Sequence, residues 1–241
     1  MSAKVQLSDI EKNPCRGDFP LLAAHPEMVF LDSAATSQRP TSVLDAQRTF
    51  YETMNANPLR GLYHLSIEAT DAIEKTRAHV ARFIAAVDEG GHPQKDQIVF
   101  TRNTSESLNL IASSLGRTIL SPGDEVVVSI MEHHSNLIPW QQVCAATGAH
   151  LVYLRLDDDF GISQDELKAK VGPRAKIVSL TQVSNILGTQ NDIAAVAQRA
   201  HEMGAYLVVD GAQGAPHVRS SVREMGCDLY AFSAHKMMGP M

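Results

Sequence analysis

Five short polar stretches hold most of the side chains able to do chemistry: Thr101-Arg-Asn-Thr-Ser-Glu106, Met131-Glu-His-His-Ser-Asn136, Ser184-Asn-Ile-Leu-Gly-Thr189, Asp210-Gly-Ala-Gln213 and Ser233-Ala-His-Lys236. Each follows an apolar run. Thr104 and Ser105 stand where a helix would open, and two hydroxyls, free backbone N–H groups and the helix dipole together hold a phosphate there, unless the pair is a plain N-cap. The Asp210 carboxylate suits a metal or a cationic ring nitrogen, or it caps the strand end. Lys236 lies beside Ser233 and His235, where neighbouring cations and partial burial would favour a free amine able to attack a carbonyl; a solvated surface lysine is the plain alternative.

His133 and His134, with His64, His235 and Cys227, supply metal-ligand types, but their spacing matches neither HExxH nor another compact zinc motif, so no metal site is assigned. No GxGxxG follows a strand and no GxxxxGK[ST] is present, which removes the usual dinucleotide and P-loop sites; Gly211 and Gly214 alone carry little. An imidazole can instead lie flat on an aromatic ligand. A phosphate site, a carboxylate for a pyridinium nitrogen, a flat ring and an imine-forming amine together describe pyridoxal phosphate.

The elements that must position these groups alternate along the chain. Apolar, mostly β-branched runs at Ile98–Thr101, Glu125–Ile130, Ala149–Leu154, Lys176–Val183, Ala205–Val209 and Asp228–Phe232 predict strands buried on both faces. Between them lie helical patterns at Ser105–Leu115, Leu137–Thr147, Ser163–Val171 with the capping box Ser163-x-x-Glu166, and Asp192–Met203 stopped by Gly204. Upstream, helices are expected over Ser42–Asn55, with capping spacing at Ser42 and Asp45, and over about Ser66–Ala86. This alternation predicts an α/β fold, a mainly parallel sheet sandwiched by helices, in which ligands sit beyond the carboxyl ends of the strands. Residues 1–40 are expected to be an extension packed on a main domain spanning 41–241.

Composition bounds the rest. In 241 residues, 21 Lys and Arg against 27 Asp and Glu give a net charge of −6, so no overall basic field draws the chain to nucleic acid or anionic lipid. Three separated cysteines, Cys15, Cys144 and Cys227, form no disulfide framework or CxxC pair. With a polar start and no apolar run of membrane-spanning length, a cytoplasmic protein is expected.

The polar stretches, taken in order with Phe30-Leu-Asp-Ser-Ala-Ala-Thr36, Arg60-Gly61, His64-Leu-Ser66, Pro139-Trp-Gln141 and Phe232-Ser-Ala-His-Lys-Met-Met-Gly-Pro240, resemble the class V aminotransferase superfamily. Within it the sequence is most similar to the group II, SufS-like cysteine desulfurase and selenocysteine lyase branch. The resemblance runs from about residue 28 to the last residue. It implies the large domain of the fold type I enzymes that use pyridoxal phosphate. Lys236 would bond the cofactor as an imine and move protons, Asp210 would pair with the ring nitrogen, and His133 would stack on the ring. Thr104, Ser105, Ser233 and His235 would hold the phosphate, while Asn185 and Gln213 would face the ring hydroxyl.

The reaction implied is removal of sulfur from L-cysteine, leaving L-alanine and an enzyme persulfide, by attack of an enzyme thiolate. Selenocysteine as substrate, an epimerase, an aminotransferase, or a cofactor-binding remnant without turnover are alternatives on the same fold. A homodimer, a sulfur-acceptor protein and iron–sulfur cluster assembly are implied as well. Family members place the nucleophilic cysteine, a further strand and a small domain beyond the lysine, so the chain is expected to be part of a longer enzyme. None of the three cysteines fits as nucleophile: Cys227 opens the strand that ends near Ser233 and so lies at the opposite sheet edge, Cys144 lies on a packed helix, and Cys15 has no catalytic neighbour.

Overall fold

The computed structural model describes residues 13–240, so the first twelve residues of the polar lead-in and Met241 lie outside the described residues. The described chain packs as two compact units, one of residues 13–73 with 234–240 and one of residues 74–233.

The larger unit is built on five parallel strands, β1 (Glu125–Ser129), β2 (His150–Leu154), β3 (Ala175–Thr181), β4 (Tyr206–Asp210) and β5 (Leu229–Ala231), in the order β2-β1-β3-β4-β5. Successive side chains on a strand point to opposite faces, and here both faces are covered. Val127, Val178, Leu180, Leu207 and Val209 pack with Leu167, Ile193, Val196 and Ala200 from the helices Gln164–Lys170 and Ile193–Glu202. Their neighbours Val126, Val128, Ile177 and Val208 pack with Leu108, Trp140 and Val143 from the helices Thr104–Ile111 and Ile138–Thr147. The expected sandwich is therefore present. From β1 the chain moves outward to β2, whereas β3, β4 and β5 add on the other side. The gap between the carboxyl ends of β1 and β3 is thus the switch point of the sheet, where ligands sit in folds of this kind.

Local chemistry sets the helix ends. Ser163 Oγ accepts the Glu166 N–H, but Glu166 Oε1 accepts the Arg155 N–H at 2.9 Å, so the forward half of the expected capping box forms and its carboxylate serves another strand end; Asp192 Oδ1 accepts the Ala195 N–H, and Gly204 follows its helix with φ 72°. The helix that begins at Thr104 continues through a π segment, Ala112–Gly116, and a last turn at Arg117–Ile119. Thr104, Leu108, Ala112, Gly116 and Leu120 are all buried, a spacing of four throughout.

Two expectations fail. Residues 98–101 are extended but form no strand: the Ile98 N–H is taken by the Lys95 carbonyl, and the Ile98 carbonyl accepts from the Arg77 guanidinium, which also lies 4.9 Å from the Phe100 ring centre. With Ile98 held on both sides, the β-branched composition finds no ladder to join. Upstream, the helix Thr41–Thr53 starts after Pro40 without a side-chain cap, and Thr41 Oγ1 donates instead to the Asp18 carbonyl. The smaller unit also holds the short helix Pro20–Ala24 and the 3-10 turn Ala234–Lys236. The helix His64–Phe83 runs through both units.

Candidate active site

The amino end of the helix Thr104–Ile111 is capped by Asn103, whose Oδ1 accepts the Glu106 N–H at 3.0 Å. Thr104 and Ser105 are therefore not the cap, and their hydroxyls make other bonds. Buried Thr104 donates its N–H to Ser233 Oγ at 2.8 Å, and the two hydroxyls lie 2.6 Å apart. Ser233 comes two residues after β5, so the end of that strand and the start of the helix put two hydroxyls where backbone N–H groups and the helix dipole favour an anion.

Ser105 Oγ is 2.6 Å from Ser135 Oγ, which in turn is 2.9 Å from His133 Nδ1. The Ser135 N–H also donates to that nitrogen at 3.1 Å, so Nδ1 is an acceptor and the neutral ring carries its proton on Nε2. His133 is exposed on the turn that follows β1, with its ring pinned at one nitrogen and its other side open.

Glu132 stands at the switch point. Its Oε1 accepts from Ser129 Oγ at 2.5 Å and from the Thr181 N–H at 3.1 Å, and its Oε2 accepts from Asn136 Nδ2 at 2.6 Å. Asn136, fully buried, accepts at Oδ1 from Ser179 Oγ at 2.6 Å and from the indole N–H of Trp140 at 3.0 Å. One carboxylate and one amide thus join β1, β3, the His133 turn and the helix Ile138–Thr147. All of these partners are neutral. Burial, reinforced by the negative charge of Asp210, raises the Glu132 pKa from 4.5 to about 7 even though its three donors pull it the other way. Glu132 and Asn136 stand in a polar stretch of the sequence without an assigned role; the signal for Glu132 is a carboxylate soon after a buried apolar strand.

Asp210 is the last residue of β4 and is 3% exposed, with Oδ1 accepting the Ala212 N–H at 2.9 Å. Gln213, also buried, opens the short helix Gly214–His217, which the sequence reading missed. The chain from Gly211 to Gly214 has no room for side chains at its two glycines: a methyl at Gly211 would overlap the Tyr230 ring, and one at Gly214 would overlap Gln182 Oε1. Gln182 is fixed in turn by Tyr230 OH, which donates to its Oε1 at 2.8 Å. Asn185 lies on an exposed turn between Ser184 and Gly188, apart from these bonds.

His235 and Lys236 belong to the smaller unit, on the turn Ala234–Lys236. The His235 carbonyl accepts from the Ser37 N–H, Ser37 Oγ and Thr36 Oγ1 at 3.0, 3.1 and 3.2 Å, and the Met238 N–H donates to Ser37 Oγ at 2.7 Å. Arg39 braces the same turn through the Gly239 carbonyl at 3.1 Å. Burial and the charges of Lys236 and Arg39 hold the His235 pKa below its ordinary value.

Burial pushes the thiols of Cys144 and Cys227 up to about 11, which keeps both protonated at neutral pH; Cys227 packs on the core beneath the sheet, and Cys15 is exposed. Among the described residues no cluster of three His, Cys, Asp or Glu is placed to hold a metal, and no helix is long and apolar enough to cross a membrane.

The site suits pyridoxal phosphate on the chemistry of its donors: hydroxyls at a helix start for an anion, a buried carboxylate for a cationic ring nitrogen, and an open imidazole beside them. The model of the family described as "Aminotransferase class-V" matches residues 29–241. A protein of Halalkalibacterium halodurans named "probable cysteine desulfurase" is 47% identical over 213 residues, covering 88% of this chain and 51% of its own length. The structure of the cysteine desulfurase CsdA from Escherichia coli aligns with TM-score 0.82 at 39% identity, over 94% of this chain and 55% of that one. The apo structure of a cysteine desulfurase from Thermococcus onnurineus aligns with TM-score 0.86 at 36% identity, over 100% of this chain and 56% of that one. The chain spans about half the length of the curated relatives it matches.

Proposed function

Because the chain belongs to the class V aminotransferase family, we propose that it supplies the cofactor-binding part of a cysteine desulfurase, which removes sulfur from L-cysteine and leaves L-alanine. The observation that carries the cofactor assignment is the pairing, within one unit, of a hydroxyl cluster at a helix start with the buried Asp210 carboxylate at a strand end. The likeness to relatives named for the activity supports the choice of reaction.

Pyridoxal phosphate, when bound, supplies an aldehyde that condenses with amines and a ring that draws electron density from bonds at the substrate α-carbon. In this reading Thr104, Ser105 and Ser233 donate hydrogen bonds to the phosphate, and His235 adds a ring N–H. Asp210 holds a proton on the ring nitrogen through its negative charge. His133 would face the ring and would keep its Nε2–H available as a donor, since Nδ1 is occupied by Ser135. Lys236 would provide the amine that holds the cofactor and a group able to take and return protons. Gln213 and Asn185 orient the ring hydroxyl side. No cysteine described in the structure is assigned as the attacking thiolate, because Cys144 and Cys227 are held as thiols and Cys15 has no partner chemistry. Unpaired cysteines suit a reducing compartment, so the reading places the protein in the cytoplasm. A homodimer that hands persulfide sulfur to an acceptor protein for iron–sulfur cluster assembly completes the proposal.

The test is reconstitution. The purified chain is expected to bind pyridoxal phosphate with a visible absorbance band that Lys236→Ala abolishes; an unchanged band in that variant overturns the lysine assignment. Alanine and sulfide released from L-cysteine by the protein from its natural source support the reaction, whereas amino transfer or racemisation without sulfide overturns it.

A further inference from the structure

We propose that Glu132 is a positioning residue of this site: its carboxylate fastens the turn that carries His133 to the ends of β1 and β3, and the proton it gains or loses changes how firmly that turn is held. The inference rests on the proposed reading of His133 as the group that lies on the cofactor ring.

The geometry is that of a hub. Glu132 is the residue next to His133, and its two oxygens collect donors from three places: the last residue of β1, the backbone of the last residue of β3, and Asn136 four positions on. Asn136 passes the connection to Ser179 within β3 and to the indole of Trp140. A surface loop needs no such anchor. This one ties the two strands that flank the switch point of the sheet, so the position of His133 follows the state of the hub.

Among the described residues, the groups bonded to the hub are all neutral. Asp210 at the end of β4 is the charged group that acts on it, and its charge opposes ionisation of Glu132; Ser129, Ser179, Thr181, Asn136 and Trp140 present only neutral groups, and His133 follows it in the chain. With burial, this places proton uptake by Glu132 near neutral pH. All three donors favour the ionised form. A protonated Glu132 can keep its place only if Ser129 Oγ turns from donor to acceptor, because the amide nitrogen of Asn136 cannot accept. Ionised, the carboxylate holds the turn with three bonds; protonated, it holds it with fewer or weaker ones.

Trp140 provides the readout. It is the single tryptophan of the chain and is fully buried, and its N–H lies one amide away from Glu132. Its fluorescence in the chain without cofactor is to be followed from pH 5.5 to 8.5, alongside the affinity for pyridoxal phosphate measured by absorbance titration. In the native chain an emission step near neutral pH is expected, and Glu132→Gln is expected to remove it. The Gln variant should also lose the change in cofactor affinity across that step, a change of about fivefold, the low end for coupling between two sites. Ser129→Ala keeps the carboxylate and deletes one donor, so it should move the step to higher pH; it carries the test if the Gln variant does not fold. An emission step that both variants leave in place overturns the proposal. So does a step that responds to the variants while the affinity profile stays unchanged, since Glu132 would then be structural only. If the native chain binds no cofactor at any pH, the reading of the site fails instead, and this inference falls with it.

Discussion

Strand β1 has a glutamate at its start and another just past its end, and the two are solved in opposite ways. Glu125, the first residue of β1, is 9% exposed and meets the Arg174 guanidinium at 2.5 Å, a cation that is itself largely in solvent. Glu132, beyond the last residue, is held among the described residues by hydroxyl, amide and backbone donors, with the charge of Asp210 acting against its own. At the amino end of β1 the charge is neutralised by an exposed surface partner. At its carboxyl end it is held by neutral dipoles, which leaves the carboxylate free to change its protonation state. The same residue type is therefore a brace at one end of the strand and a titrating group at the other.

The difference can be broken most severely at Asn136. Asn136→Ala would strip a bond from Glu132 Oε2 and leave the Trp140 indole N–H and the Ser179 hydroxyl without their acceptor. Buried groups left in this way cost about 1–3 kcal/mol each, so a loss of about 4 kcal/mol is expected in urea unfolding. A loss below about 1 kcal/mol would mean that water replaces the amide and that the hub is not rigid.

Titration sharpens the contrast next. The Glu132 pKa is raised from 4.5 to about 7 in the folded chain, so this group contributes stability below pH 4.5 and that contribution disappears as pH rises through 7. The change is on the order of 3 kcal/mol. Unfolding measured at pH 5 and pH 8 should show the native chain losing stability relative to Glu132→Gln as pH rises. A constant difference between the two proteins would mean that Glu132 does not titrate in this window.

At the other end of β1 the expected effect is smallest. Arg174 is mostly exposed, so Arg174→Ala should cost no more than about 1 kcal/mol, a cost that fades at high salt. It should leave cofactor affinity unchanged. A larger, salt-insensitive loss would show that the amino end also depends on a buried charge, and the contrast between the ends would close.

Much of this arrangement was legible in the sequence, and the reason is the sheet. Strands buried on both faces read as unbroken apolar runs, and the polar residues that follow them, His133, Asp210 and Ser233, come after the carboxyl ends of β1, β4 and β5. The run at 98–101 has the same composition but lacks a ladder, because the Arg77 guanidinium and the turn before it occupy its backbone; that competition is tertiary and leaves no local mark. Asn103 was passed over as the cap because Thr104 and Ser105 also suit that role, and only the bonds to Ser233 and Ser135 separate the three. The importance of Glu132 and Asn136 depended on partners 43 and 49 residues away. Spacing within a motif cannot convey such distances.

The π segment at Ala112–Gly116 has a geometric consequence for the end of the helix that carries Thr104. In a regular α-helix each step of four residues overshoots a full rotation by about 40°, so three steps from Thr104 to Gly116 would swing the last position about a third of the way around the axis. The wider turn takes up that excess, and Thr104, Leu108, Ala112, Gly116 and Leu120 stay on one line facing the core. It acts as an angular correction between the two ends of one rod. Deleting one residue from this segment would restore a regular helix and turn the Thr104 hydroxyl by about 100° from Ser233 while leaving every side chain of the pair in the sequence.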